Sequence, residues 1–319
     1  MAHGRSIFRA SLLALMAFVL ASLLLACEGE TGTTPTPGQG AATRTLTDFL
    51  GRRVEVPGQV SRVAALSPTT IELLYAVGGR AVARTDGSTY PPEVTSLPSV
   101  GPSYSPSLDL IAAQRPDLLL ADSVLQRGLV QQLETLRVPL VMVGAETVAD
   151  VPRALRLVGE AVGRRQEGEE AAARLERELE AARGRLAARG LKVVVLIADA
   201  QNNLYAARSN AYVGSVLEWL GATNPAASLP QTGPFPGFSQ VTPEAVTALA
   251  PDVILTITPA PPPAPRLSQL LPRLPGMANL PPVQAGRVAE LDPVLFLQAP
   301  GPRVTEAVAQ MSQILEGMR

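Results

Sequence analysis

The side chains that most often carry chemistry are scarce in this chain, which has one cysteine, Cys27, and one histidine, His3. Arg5 and Arg9 precede the apolar residues 12–25, a pattern typical of a secretory signal and too short for a membrane span. Removal of that signal would leave the mature chain without histidine. Nucleophilic schemes that pair Ser or Cys with His then lack their base, and zinc or manganese sites lack their imidazole ligands.

Cys27 ends the motif Leu24-Leu25-Ala26-Cys27, which resembles the bacterial lipoprotein signal. The resemblance implies that residues 1–26 are a lipoprotein signal peptide and that Cys27 becomes the lipidated first residue of the mature protein. We expect the protein to be lipid-anchored on the outer face of the cytoplasmic membrane. The alternative is an ordinary signal peptide with an incidental cysteine. Residues 28–44 are rich in Gly, Thr and Pro and predict a flexible spacer after Cys27.

Charge and motifs exclude further function classes. Without Arg5 and Arg9, 25 basic side chains stand against 28 acidic ones, a formal charge of −3 that argues against a nucleic-acid partner. The phosphate-binding pattern GxxxxGK[ST] is absent, so the chain is not the ATPase of a transporter. No carboxylate pair stands out for hydrolysis. We expect a non-enzyme without cofactor or metal of its own, and an exported lipid-anchored hydrolase remains the alternative.

Short β-rich runs alternate with amphipathic helices in the rest of the chain. The pattern predicts an α/β fold with two lobes, residues 45–150 and 191–319, each with a small, mostly parallel sheet. Predicted strands are 45–49 and 53–56 (a hairpin), 62–66, 118–121, 140–143, 193–197, 253–257 and 287–291. Predicted helices are one that opens at Ser67, then 151–162, 167–188, 212–220, 242–249 and 305–315.

Residues 151–190 form the predicted connection between the lobes. Leu175, Leu179, Ala182 and Leu186 recur at a helical period, which predicts a long helix over 167–188. Such a helix extends about 33 Å, roughly the width of a small domain. We interpret it as a rigid link between the two lobes. Glu170, Arg174 and Glu178 are four residues apart and are predicted to form ion-pair steps, with opposite charges at i and i+4, on its solvent-exposed side.

Five segments occur in an order that resembles a known family: RVAALSPTTIELLYAVG, VGPSYSPSLDLIAAQRPDLLLAD, the linking helix, VGSVLEWLGATN and FSQVTPEAVTALAPDVILTI. They resemble the ABC-transporter solute-binding proteins that carry iron chelates and cobalamin. The resemblance implies two lobes joined by one rigid helix, with the ligand in the cleft between them. It also implies a monomer that delivers its ligand to a permease and, through it, to the ATPase.

The family docks on its permease through one surface glutamate on each lobe. The matching positions implied here are Glu72 in the first lobe and Glu218 in the second. Each lies on a predicted helix that ends at a glycine, and the alternative for each is an ordinary solvated carboxylate.

Cleft residues are expected in the loops that follow the strands. The candidates are Ser67, Arg84, Tyr90, Tyr104, Tyr205, Arg208, Phe235, Phe238 and Phe296. The arginines could pair with anionic groups of a chelate, and the alternatives are ordinary salt bridges for the arginines and core packing for the aromatics.

The ligand implied by the resemblance is a preformed iron chelate (a ferric siderophore) or cobalamin. Haem-binding relatives are expected to have a tyrosine directly after the glycine of the VG motif. Here Gly101 is followed by Pro102, and Tyr104 comes two places later. The protein could still be a haem-binding member of the family, and we keep that as an alternative.

Overall fold

The computed structural model describes residues 43–183, 190–260 and 263–318. Its first lobe is built on a parallel sheet in the order β4-β3-β5-β6, preceded by an antiparallel hairpin of β1 and β2. These strands are β1 (Thr43–Thr47), β2 (Arg53–Pro57), β3 (Val63–Ala65), β4 (Ala81–Ala83), β5 (Leu118–Asp122) and β6 (Leu140–Val143). The helices that follow them are α1 (Pro68–Ala76), α2 (Leu108–Ala113) and α3 (Val130–Glu134).

The second lobe has a mixed sheet in the order β11-β10-β7-β8-β9. Its strands are β7 (Val193–Ala198), β8 (Leu204–Ala207), β9 (Phe238–Val241), β10 (Val253–Ile257) and β11 (Val288–Leu291). β7, β10 and β11 are parallel, whereas β8 and β9 are antiparallel additions at one edge. The helices are α6 (Tyr212–Trp219), α7 (Pro243–Ala248), α8 (Leu267–Leu270), α9 (Pro281–Gln284) and α10 (Val304–Glu316). The prediction of an α/β fold with mostly parallel sheets is confirmed.

The central strands are buried along their whole length. Every residue of Leu118–Asp122 and of Val253–Ile257 is buried, because helices cover both faces of each sheet. Two of the helices begin as the sequence predicts. The hydroxyl oxygen of Ser67 accepts a hydrogen bond from Thr70 N, and that of Thr242 accepts one from Ala245 N.

The connection between the lobes contains the two predicted helices: α4 (Asp150–Ala161) and the longer α5 (Arg165–Arg183). They pack antiparallel closely enough that a Cβ added to Gly159 would lie 2.7 Å from the Gly168 Cα. Arg156 of α4 pairs with Glu169 and Glu176 of α5, each at 2.8 Å. Among the described residues, the predicted ion-pair steps at Glu170, Arg174 and Glu178 do not form. The predicted end of the long helix, including Leu186, lies outside the described residues.

None of the helices in the described ranges combines the length and the apolar character needed to cross a membrane. The predicted signal peptide, Cys27 and most of the spacer lie outside those ranges.

Candidate functional site

Three large apolar side chains are exposed on the loops that follow β4 and β5. Tyr90 is 44% exposed, Tyr104 is 72% exposed and Leu125 is 49% exposed. Exposed aromatic groups on loops lose the free energy of apolar burial unless a partner covers them. Tyr90 and Tyr104 thus occupy positions suited to the predicted ligand-binding role. Leu125 was not predicted from the sequence; the available signal was its place three residues after the buried strand β5.

A network of polar side chains between the Tyr104 loop and the end of β3 holds this loop in place. The Thr85 hydroxyl lies 3.0 Å from the Ser88 hydroxyl and 2.8 Å from that of Ser103. Gln126 Nε2 donates to the carbonyl oxygens of Leu66 and Ser103, both at 2.7 Å. These bonds tie the Tyr104 loop to the end of β3, so the loop is rigid although its tip is exposed.

Asp122 organises the neighbouring loop that carries Leu125. Its Oδ1 accepts hydrogen bonds from Val124 N at 2.9 Å and from Leu125 N at 3.0 Å. Because burial removes water from the carboxylate, the pKa of Asp122 is raised despite these bonds. Ser67 was predicted to contact ligand, and this is wrong: its side chain is buried, caps α1 and donates toward Asp122 Oδ2 at 3.5 Å.

The two predicted arginines are half-buried, and protein acceptors contact both. Arg84 Nη1 donates to the carbonyl oxygens of Thr85 at 3.0 Å and Asp86 at 3.2 Å, which are in its own loop. Arg208 Nη1 donates to Gln231 Oε1 at 3.2 Å. Pairing of either arginine with an anionic ligand stays a prediction, and it would have to compete with these contacts.

Three of the predicted aromatic residues of the second lobe belong to its core. Tyr205 is 3% exposed, Phe238 is 3% exposed and Phe296 is 1% exposed. The first two lie on β8 and β9, where the sequence analysis predicted loops. Their assignment as ligand contacts is wrong, because their rings are packed inside the lobe.

Phe235 keeps part of its ring accessible and lies beside Tyr205, with an edge-to-face contact between ring centres 4.8 Å apart. Gln231 fixes the Phe235 loop. Its Nε2 donates to the carbonyl oxygens of Phe235 and Phe238, both at 2.9 Å, and its Oε1 accepts from Gly237 N at 3.1 Å. Phe235 is thus the predicted aromatic residue of this lobe that can still contact a ligand.

A polar turn, which was not predicted from the sequence, joins β7 to β8. Asp199 accepts hydrogen bonds from the backbone of Gln201 and Asn203, and from the Asn203 amide and the Tyr205 hydroxyl. These donors lower the pKa of Asp199, with the Asn203 amide as the main cause. The turn presents Gln201, Asn202 and Asn203 as exposed amide side chains.

The structure contradicts the predicted docking role of Glu72. Its carboxylate is buried in an ion pair with Arg303, from which Nε donates at 2.8 Å and Nη2 at 2.6 Å. A buried and doubly bonded carboxylate cannot serve as a surface contact. Glu218 is exposed on α6 and makes no ion pair with another described residue, so its docking role stays a prediction.

Within the three described ranges, no group of three or more His, Cys, Asp and Glu side chains is arranged to hold a metal ion.

Comparison with known proteins identifies the family. Residues 63–295 match the family described as periplasmic binding protein, and the chain belongs to it. It is 24% identical over 278 residues to the uncharacterized ABC transporter substrate-binding lipoprotein YvrC of Bacillus subtilis, covering 84% of each chain. It is 30% identical over 199 residues to the vitamin B12-binding protein of Salmonella typhimurium, covering 61% of this chain and 71% of the other.

Among solved structures, the fold is similar to the periplasmic haem-binding protein RhuT from Roseiflexus in its apo form. The TM-score is 0.69 at 26% identity, over 81% of this chain and 99% of that one.

Proposed function

We propose that this protein is the substrate-binding lipoprotein of an ABC importer, which captures an iron chelate or cobalamin between its lobes and delivers it to a permease. The observation that carries the proposal is the group of exposed apolar side chains, Tyr90, Tyr104 and Leu125, on rigid loops of a periplasmic binding protein fold. Relatives in the family are named as a probable siderophore-binding lipoprotein, a vitamin B12-binding protein and an Fe(3+) dicitrate-binding periplasmic protein.

The arrangement of polar groups supports binding rather than turnover. The buried carboxylates of Asp122 and Glu72 are bonded within the protein, and neither is free to act on a substrate. The exposed amides of Gln201 and Asn202 can donate to and accept from a bound molecule without chemistry. A hydrolase would instead need an accessible acid–base pair.

The test is a binding panel with cyanocobalamin, ferric dicitrate and a ferric catecholate siderophore, measured by calorimetry and by thermal shift. A specific ligand at 100 times its dissociation constant stabilises the fold by about 2.7 kcal/mol. Saturable binding of one member at one site supports the proposal. Turnover of any panel member, or no binding by all of them and by haemin, contradicts it.

Haem is a second candidate that two observations favour. A haem-binding protein is among the solved structures at 26% identity, and the Tyr104 phenol is exposed on a fixed loop where a ferric ion could reach it. Titration with haemin distinguishes this case, because a phenolate ligand produces a charge-transfer band that Tyr104→Phe abolishes. Normal haemin binding by that variant would remove Tyr104 as the ligand.

We propose that Asp109 and Glu244, rather than Glu72, supply the surface carboxylates for permease docking. Each is exposed in the first turn of a short helix, α2 or α7, and each helix is followed by a Pro-Asp pair and a buried parallel strand. The two residues thus occupy matching places in the two lobes. Backbone and Thr242 hydrogen bonds lower the pKa of Glu244.

Uptake in cells tests this docking assignment. The double variant Asp109→Asn with Glu244→Gln should slow uptake and leave ligand affinity unchanged, since rim charges act mainly on association rate. Glu218→Gln is the comparison variant, because Glu218 is the docking residue predicted from the sequence that the structure leaves exposed. Normal uptake in the double variant together with slow uptake in the comparison variant would return the role to Glu218.

A further inference from the structure

The two lobes are joined directly by the Glu72–Arg303 ion pair, in addition to the linking helices. Glu72 lies on α1 of the first lobe, and Arg303 immediately precedes α10 of the second, 231 positions later in the chain. The pair is almost shielded from water, with 2% of the Glu72 side chain and 15% of the Arg303 side chain exposed.

Arg303 also contacts an aromatic residue of the cleft. Its guanidinium carbon lies 4.4 Å from the centre of the Tyr90 ring. The edge of the guanidinium therefore binds Glu72 while its face lies on Tyr90, which remains partly exposed. One cation of the second lobe thus contacts two side chains of the first.

A second bond between the lobes lies beside the other end of the first sheet. Val148 N, in the loop after β6, donates to the Ser215 hydroxyl on α6 at 3.0 Å. The lobes are consequently bonded to each other at two separate points of the first lobe. Neither bond belongs to the helices α4 and α5 that connect the lobes covalently.

A bidentate guanidinium–carboxylate pair fixes orientation as well as distance, because two parallel hydrogen bonds require the two groups to be coplanar. Burial protects the pair from screening by salt. Movement of one lobe away from the other would break both hydrogen bonds and the contact with Tyr90 together.

We propose that Glu72 and Arg303 form an inter-lobe clamp that sets the width of the cleft before ligand binds and holds the Tyr90 ring in the cleft wall. Arg303 is then a positioning residue for ligand binding. This inference rests on the proposed function for the role of the cleft, but the clamp exists in the ligand-free protein and can be tested without a ligand.

The direct test measures the distance between the lobes by double electron–electron resonance. Spin labels are attached at Gln132→Cys on α3 and Gln284→Cys on α9, both exposed positions, in a Cys27→Ser background. The ligand-free wild-type pair should give one narrow distance distribution. The neutral variant Glu72→Gln with Arg303→Met, which keeps the side-chain volumes but removes the ion pair, should give a broader distribution or a longer mean distance.

Arg156→Met is the matched control, because it breaks an ion pair between α4 and α5 without touching the contact between the lobes. It should leave the distance distribution unchanged. Arg303→Met alone leaves a buried unpaired carboxylate and could fail to fold, so the neutral pair and Arg303→Lys decide the result. A distribution in the folded neutral pair as narrow as that of the wild type would overturn the clamp.

Binding supplies a second readout that a merely structural role would not change. If loss of the clamp reduces the binding-ready population to about a tenth, the affinity for whichever of cyanocobalamin, ferric dicitrate or haemin binds falls about tenfold. Tyr90→Phe should bind normally because it keeps the ring, whereas Tyr90→Leu should weaken binding. Failure of all three probes would count against the proposed function, and the distance result would stand independently.

Discussion

Tyr104 and Phe238 are the pair of residues whose truncation best distinguishes the cleft from the core. Tyr104 is 72% exposed on a loop of the first lobe, whereas Phe238 is 3% exposed on β9 of the second. We expect Tyr104→Ala to weaken ligand binding without affecting stability. Phe238→Ala should instead destabilise the fold, because its ring packs inside the lobe.

The magnitudes follow from these environments. Truncation of a buried phenylalanine to alanine costs about 3–5 kcal/mol, the sum of lost apolar burial and the cavity left behind. For a chain of this size, about 2 °C in the unfolding midpoint corresponds to 1 kcal/mol, so Phe238→Ala should lower the midpoint by roughly 6–10 °C. Tyr104→Ala should change the free energy of unfolding by no more than about 0.5 kcal/mol.

The two variants should rank the other way round in ligand binding, with the larger loss of affinity in Tyr104→Ala. A central aromatic contact contributes about 2 kcal/mol, so Tyr104→Ala should raise the dissociation constant about 30-fold. The assays are differential scanning calorimetry of the free protein and isothermal titration with the panel member that binds. Leu110→Ala, another exposed apolar residue but on α2, is the control and should change neither quantity. A large midpoint loss in Tyr104→Ala with unchanged affinity would refute the assignment of Tyr104 to the cleft.

Three further predictions concern the anchor, a buried acid and a loop glycine. Cys27→Ser should abolish lipid labelling and release the protein from membranes that lack the permease; retention there would contradict lipid anchoring. Burial raises the pKa of Asp122, so its contribution to the free energy of unfolding falls as pH rises above the ordinary value of 3.8. When denaturant unfolding is measured from acid to neutral pH, the free energy of unfolding of Asp122→Asn should rise relative to that of the wild type. A difference between the two that does not depend on pH would contradict this. Gly237→Ala should destabilise more than Gly286→Ala in urea unfolding. Both glycines have positive φ, but only the Cβ at 237 would lie 2.9 Å from the backbone of Ala211.

The buried parallel strands β6 and β10 were predictable because apolar residues dominate a run of the right length in each, whereas the three-residue strand β4 was too short to be predicted. Residues 140–143 and 253–257 have the predicted bounds, and both strands are covered on both faces. Helices α1 and α7 were predictable from their caps. At Ser67 and Thr242, a hydroxyl stands directly before a proline, which marks a helix start in the sequence itself.

The antiparallel edge of the second sheet was not predictable in this way. β8 (LYAA) and β9 (FSQV) have four residues each, and neither contains the run of β-branched apolar residues that marks the central strands. Tyr205 and Phe238 were therefore placed in loops, although pairing with β7 and with each other makes both strands part of the core. Such strands are stabilised by their neighbours rather than by their own pattern.

The environment of Glu72 could not be predicted from the sequence for a different reason. A single acid on an otherwise apolar helix indicates a solvated face, and nothing near it in the sequence suggests a partner. The partner is Arg303, and only the tertiary structure brings the two together. In the structure the residues of α1 from Pro68 to Leu74 are all buried, so this part of the helix has no solvent-exposed face for a carboxylate.

The loops of the first lobe have a rigid base of buried polar side chains and a tip with an exposed apolar side chain. This division affects how the cleft acquires its specificity. The side chains of Thr85, Asp122 and Gln126 beneath the loops are buried, and each is hydrogen-bonded within its own loop or to a neighbouring one. The side chains of Tyr104 and Leu125 stand on that base and are exposed. Substitutions at the tips should consequently change which ligand binds while the loops keep their shape. Substitutions in the base should displace several tips at once, because one polar network supports them all.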